Sequence, residues 1–121
     1  MSAATWIGVA LAGGLAALTR FALDAAVSER FAGAFPTGTL AVNLSGAALL
    51  GLVAGLALHG AALAIVAGGG LGSYTTFSTW MFESQRLGEA GAAHTLWLNI
   101  ALSLAAGLAA VTFGHWLGGV L

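Results

Sequence analysis

Along the chain, four long apolar runs alternate with three short polar breaks. The runs cover about residues 4–25, 37–58, 61–84 and 92–117. A bilayer core about 30 Å thick is crossed by roughly 20 apolar helical residues. Each run is therefore long enough to span it. The first break holds Ser28, Glu29 and Arg30 and closes at Pro36, where Pro36-Thr37 is a helix-start signal. His59-Gly60 leaves room only for a tight turn, and Gln85-Arg86-Leu87-Gly88-Glu89 is the most polar segment. This pattern predicts an all-α integral membrane protein with four transmembrane helices in one domain, residues 1–121. The first run has no basic stretch before it and is read as a retained helix rather than a signal peptide.

Composition sharpens that reading. Of 121 residues, 60% are hydrophobic and 6% are charged, against about 25% charged in soluble domains. Such a chain cannot cover a water-facing surface. A net charge of −1 and the absence of lysine argue against a nucleic-acid partner. There is no cysteine, which excludes thiol chemistry. The 19 glycines often fall at small-xxx-small spacing, as in Ala47, Gly51 and Gly55, or Ser103 and Gly107. Such faces let helices approach closely in lipid. Arg30 and Arg86 lie in the first and third breaks, on one side of the membrane. That charge bias is small, so orientation is weakly specified.

Polar residues inside the runs carry the remaining information. Asn43 lies in the second run, with Thr39 on the same face. A buried amide in lipid has to be paired. It serves either as glue between helices or as a donor lining a polar path. The third run reads Gly68-Gly69-Gly70-Leu71-Gly72-Ser73-Tyr74-Thr75-Thr76-Phe77-Ser78-Thr79-Trp80. Glycines weaken the helix and the hydroxyls compete for its backbone, so a break is expected around Gly72, near the middle of the span. Phe77 and Trp80 share a helical face, and aromatic ring edges carry partial positive charge that suits an anion. Glu83 and Arg20 sit near span ends, where charge is either functional or snorkels to the surface. His59, His94 and His115 have no metal-ligand spacing. No nucleophile–base pair, phosphate loop or carboxylate pair is present, so the reading is not an enzyme.

These residues resemble the Fluc (CrcB) fluoride channels over nearly the whole chain. The match runs through Gly14 and Arg20, then Gly38-Thr39-Leu40-Ala41-Val42-Asn43-Leu44, and is most specific in Gly72-Ser73-Tyr74-Thr75-Thr76-Phe77-Ser78-Thr79, with Glu83 beyond. The resemblance implies a fluoride-selective channel in the cell membrane that exports fluoride passively. It implies an antiparallel, dual-topology dimer with two pores, formed with an identical or a homologous subunit. A structural sodium ion at the dimer centre would be held by the backbone carbonyls of Gly72 and Thr75. Asn43, Phe77 and Trp80 would line the pore, with Ser78, Thr79 and Ser103 in a polar track beside it. Arg20 and Glu83 would stand near the vestibules. Two positions depart from the family pattern: Trp80 stands where phenylalanine is usual, and Asn99 where tyrosine is common. Two other readings compete with this one. A small multidrug exporter needs a carboxylate deep in the membrane, yet Asp24 and Glu83 lie near span ends. A packing subunit accounts for the glycines but not for a break followed by aligned aromatics.

Overall fold

The computed structural model describes all of residues 1–121, and it is entirely helical apart from turns. Helix α1 (Ala3–Arg30) starts at Ser2, whose hydroxyl accepts from the Thr5 N–H at 3.1 Å. It runs past the expected end at residue 25 and takes in Ser28-Glu29-Arg30. No glycine or proline interrupts it there, and Arg30 in the last turn complements the helix dipole. Helix α2 (Thr37–Gly55) begins after Pro36 as expected. It ends three residues earlier than residue 58, in a turn that puts Ala57 in the left-handed region at φ 56°.

The third run does not form one uniform helix. It comprises α3 (Gly60–Leu63), a wide π-type segment π1 (Ala64–Leu71), α4 (Gly72–Tyr74) and, after an interruption at residues 75–77, α5 (Ser78–Glu89). Helix α6 (Ala93–Val120) closes the chain. Three helices, α1, α2 and α6, are each long and apolar enough to cross a bilayer, with mean hydropathies of 1.6, 1.6 and 1.8 over their best windows. The chain is a membrane protein by that measure.

Glycine decides which helices can touch. Helices α2 and α6 form the most extensive pair. A Cβ placed on Gly51 would collide with the backbone of Val111 and His115, and one on Gly114 with the backbone of Ala48 and Leu52. Gly55 and Gly118 meet in the same way one turn further on. The pair thus packs backbone against backbone, as small residues allow in lipid. On the other side, α1 packs on π1, where Gly69 lies against the backbone of Val9.

Little of the chain is interior: 14 of 121 residues are buried. Apolar side chains such as Leu11, Leu15, Leu18 and Phe21 on α1 and Leu104 and Leu108 on α6 stand exposed. In lipid such faces need no cover. The backbone contact yields a sharp contrast. Gly114→Val should lower stability by on the order of 1–3 kcal/mol, read as a drop in the detergent-solubilised melting temperature. Gly107→Val should leave it near the parent value, because a Cβ there meets nothing within 4 Å.

Candidate functional site: a helix interruption between two cavities

The interruption is the most polar construction inside the molecule. Thr75 leaves the helix with extended backbone (φ −81°, ψ 158°), and the chain resumes helical geometry at Ser78. The expected break around Gly72 therefore falls three residues later. Gly72 itself is helical, and the preceding glycines are absorbed by the π-type turns. Glycine content loosened the helix, but the stop is fixed by side chains that take over backbone hydrogen bonds.

Three side chains do so. The Thr75 hydroxyl donates back to the Leu71 carbonyl at 3.0 Å. The Thr76 hydroxyl accepts from the Thr79 N–H at 3.1 Å, which caps the start of α5. From α2, the Asn43 side chain pairs with both backbone polar groups of Thr76. Its Nδ2 donates to the Thr76 carbonyl at 2.8 Å, and its Oδ1 accepts from the Thr76 N–H at 2.9 Å. Gly46, one turn along α2, has no Cβ, which leaves room for the Thr75 methyl against it. Just before the interruption, the Tyr74 and Ser45 hydroxyls are hydrogen-bonded at 2.8 Å. The carbonyls of Gly72 and Thr75 accept no hydrogen bond from the chain; the Thr76 N–H, which would reach Gly72, is held by Asn43, and the Thr79 N–H, which would reach Thr75, is held by the Thr76 hydroxyl.

Two cavities meet at Thr76. One is an open cleft of about 410 Å³, lined from α2 by Asn43, Gly46 and Leu50 and from the third run by Gly72, Thr75, Phe77 and Trp80 among others. The other is a smaller chamber of about 180 Å³, lined by Arg20, Asp24, Thr39, Thr76 and Thr79 together with Phe21 and Val42. Phe77 is 69% exposed and packs edge-to-face on Trp80, with ring centroids 5.8 Å apart at 80°. The Trp80 indole N–H is covered and has no partner.

The sequence-expected residues thus divide into groups. Asn43, Gly72, Thr75, Phe77 and Trp80 gather around the cleft. Arg20 and Thr79 border the chamber, and Glu83 lies beyond it against Thr39. Both the Thr39 hydroxyl and one Glu83 oxygen are covered without meeting a hydrogen-bond partner. Ser78 is exposed at the start of α5, and Ser103 stands on α6, where its hydroxyl donates to Asn99 Oδ1 at 3.4 Å. No hydrogen bond joins Ser78, Thr79 and Ser103 to one another. Sequence reasoning did not single out Thr76 or Ser84. Thr76 was hidden in the Thr-Thr-Phe-Ser-Thr string, and only its pairing with Asn43 distinguishes it from Thr75.

Residues 7–115 match the family described as "CrcB-like protein, Camphor Resistance (CrcB)". The chain belongs to the CrcB family. Among its relatives, the "Fluoride-specific ion channel FluC 2" of Mycobacterium tuberculosis is 50% identical over 117 residues, covering 97% of this chain and 93% of the relative. The "Fluoride-specific ion channel FluC 1" of Leifsonia xyli subsp. xyli is 41% identical over 118 residues, covering 94% and 86% respectively. That of Symbiobacterium thermophilum, likewise FluC 1, is 39% identical over 120 residues, covering 94% and 97%. The interruption and both cavities lie within the matched span of this CrcB chain.

The grip of Asn43 on Thr76 sets an expected outcome. Asn43→Leu keeps the volume but takes the partner from the half-buried Thr76 N–H and carbonyl, at a cost of up to about 1–3 kcal/mol each. Amide hydrogen exchange across residues 75–77, followed by mass spectrometry, should accelerate strongly while exchange in α6 stays slow. Unchanged exchange at 75–77 would mean that Asn43 does not hold the interruption.

Proposed function

We propose that the chain is a subunit of a fluoride-selective channel that lets fluoride leave the cell passively across the cell membrane. The observation that carries this reading is the interruption itself. It sets free carbonyls and an exposed aromatic edge beside one cleft, in a family whose relatives are named fluoride-specific channels. In this reading α3, π1, α4 and α5 together make one broken span, so the single domain has four spans. Passive transport fits a chain that carries no energy-coupling motif.

The chain cannot enclose a pore alone, since its four spans bury so little. A second subunit, identical or homologous, supplies the missing wall. An antiparallel pairing about an axis in the membrane plane is compatible with the weak charge bias of the loops. It would bring the two interruptions together. The unpartnered Gly72 and Thr75 carbonyls then need a cation, because bare carbonyls in lipid are costly. Hard cations prefer oxygen ligands. The Gly72 and Thr75 carbonyls fit a structural sodium ion shared between subunits, and its charge would hold the two faces together.

Fluoride is small and strongly hydrated, so a dry path must replace its water. The ring edges of Phe77 and Trp80 present the positive rim of the quadrupole. In this reading Phe77, at the end of the interruption, and Trp80, one turn into α5, form the pore wall. Asn43 lines the cleft, and its second amide hydrogen would serve there as a further donor. Thr79 and Arg20 line the chamber through which the ion would pass toward water, and Glu83 stands at its outer side. Ser78 and Ser103 extend the hydroxyl track only if the second subunit completes it.

Purified protein in liposomes should release fluoride once valinomycin and potassium relieve the charge build-up, and chloride should stay behind. Equal fluoride and chloride fluxes would sink the selectivity. Absence of flux from the protein alone, with flux restored by a co-expressed homologous subunit, would assign a heterodimer. Phe77→Ile removes the positive ring edge while keeping an apolar body, so flux should fall sharply. Trp80→Phe should stay active, and Trp80→Ala should be impaired. Phe77→Ile at parent rate with Trp80→Phe dead would reverse the roles.

Gly72 tests the assembly. A Cβ there meets only the Ala67 carbonyl, at 3.6 Å, so the protomer has room for a side chain. Gly72→Leu should leave helix content unchanged by circular dichroism but shift size-exclusion elution from dimer to monomer. A Gly72→Leu dimer with parent elution would argue against pairing through this face.

A further inference from the structure

The helix after the interruption is tied to α6 at one polar point. Glu83 lies against Thr39 on α2, and toward α6 only Ser84 among the α5 side chains makes a hydrogen bond. Its hydroxyl accepts from Asn99 Nδ2 on α6 at 2.9 Å and donates to the Trp80 carbonyl, one turn back, at 2.8 Å. Asn99 is 1% exposed and Ser84 is 3% exposed. The Ser103 hydroxyl closes the series by donating to Asn99 Oδ1. The relay therefore runs from α6 through Ser84 to the backbone that carries Trp80. A serine bonded back to the carbonyl four residues earlier also bends its helix slightly, so the link acts on the direction of α5 at that turn.

Trp80 needs such support, because nothing polar holds its ring. The indole N–H has no partner, and the ring rests edge-to-face on Phe77, which is itself largely exposed. The place of the indole along the cleft is thus set by the backbone of α5, and α5 packs mainly on α6. We propose that Asn99, acting through Ser84, is the positioning residue that sets Trp80 against Phe77 and thereby tunes anion selectivity. The inference rests on the channel reading above for its functional half. Its structural half stands on the relay alone.

The test uses the full chain with Trp6, Trp97 and Trp116 replaced by phenylalanine, so that Trp80 is the sole indole. Asn99→Leu and Ser84→Ala should each shift the Trp80 emission maximum and lower its anisotropy. Each should also reduce the fluoride-to-chloride flux ratio by roughly ten- to hundredfold, the scale of losses from sub-ångström to ångström misplacement. Because one relay carries both effects, the double variant should be no worse than either single variant. Ser84→Thr keeps the hydroxyl and should restore the parent values. Thermal stability is measured alongside. A variant that melts lower while its Trp80 spectrum and flux ratio stay at parent values would show plain helix glue and overturn the proposal. Additive losses in the double variant would do the same. Absence of fluoride flux in the unsubstituted protein would instead count against the channel reading, and the Trp80 spectrum would still decide whether the relay places the ring.

Discussion

Every backbone polar group inside a bilayer has to find its partner within the protein, because lipid offers none. The stretch from Thr75 to Phe77 abandons the helical ladder, and the surrounding structure is arranged around that act. Asn43 takes both polar groups of the Thr76 peptide, and Thr76 caps the helix that follows. The carbonyls of Gly72 and Thr75 stay open. An α2 that slid by one turn would lose the Asn43 grip, so the α2 position follows from the interruption. Its close packing with α6 then fixes α6 as well.

The glycines divide between two tasks in this arrangement. Gly51, Gly55, Gly114 and Gly118 let two backbones touch and make a stiff platform. Gly68 to Gly70 sit in π-type turns, and wide turns of this kind recur at functional sites. The platform carries Asn43 on one helix and Asn99 on the other. Each amide, half-buried at Asn43 and buried at Asn99, reaches the third run at a different level, one at the interruption and one beyond it. The polar contacts that matter here come from the flanking helices rather than from the glycine-rich segment itself.

Much of this was legible in the sequence. Apolar run lengths gave three helices nearly to their ends, and Pro36 marked the start of α2. The extension of α1 through Arg30 was not legible, because its last turn is polar and reads as a loop. The third run was recognised as irregular from its glycines and hydroxyls, but the stop lay at Thr75 rather than at Gly72. Composition shows where a helix is weak. It does not show where a side chain from another helix will capture an N–H, and the capture by Asn43 lies 33 positions away in sequence. For the same reason nothing in the sequence singles out Ser84, whose partner Asn99 stands on another helix.

The glycine contact between α2 and α6 also bears on how the chain is made. Its two halves are far apart in the sequence, in Thr37–Gly55 and Ala93–Val120, and everything between them is synthesised before they can meet. Helix α2 therefore enters the membrane with its small-residue face uncovered, and the third run arrives before the platform exists. During that interval the face is open to any other helix with a matching stripe. Since the last helix must compete with such transient neighbours, shortening α6 by a turn or two would expose the early intermediate to mispairing and to membrane proteases.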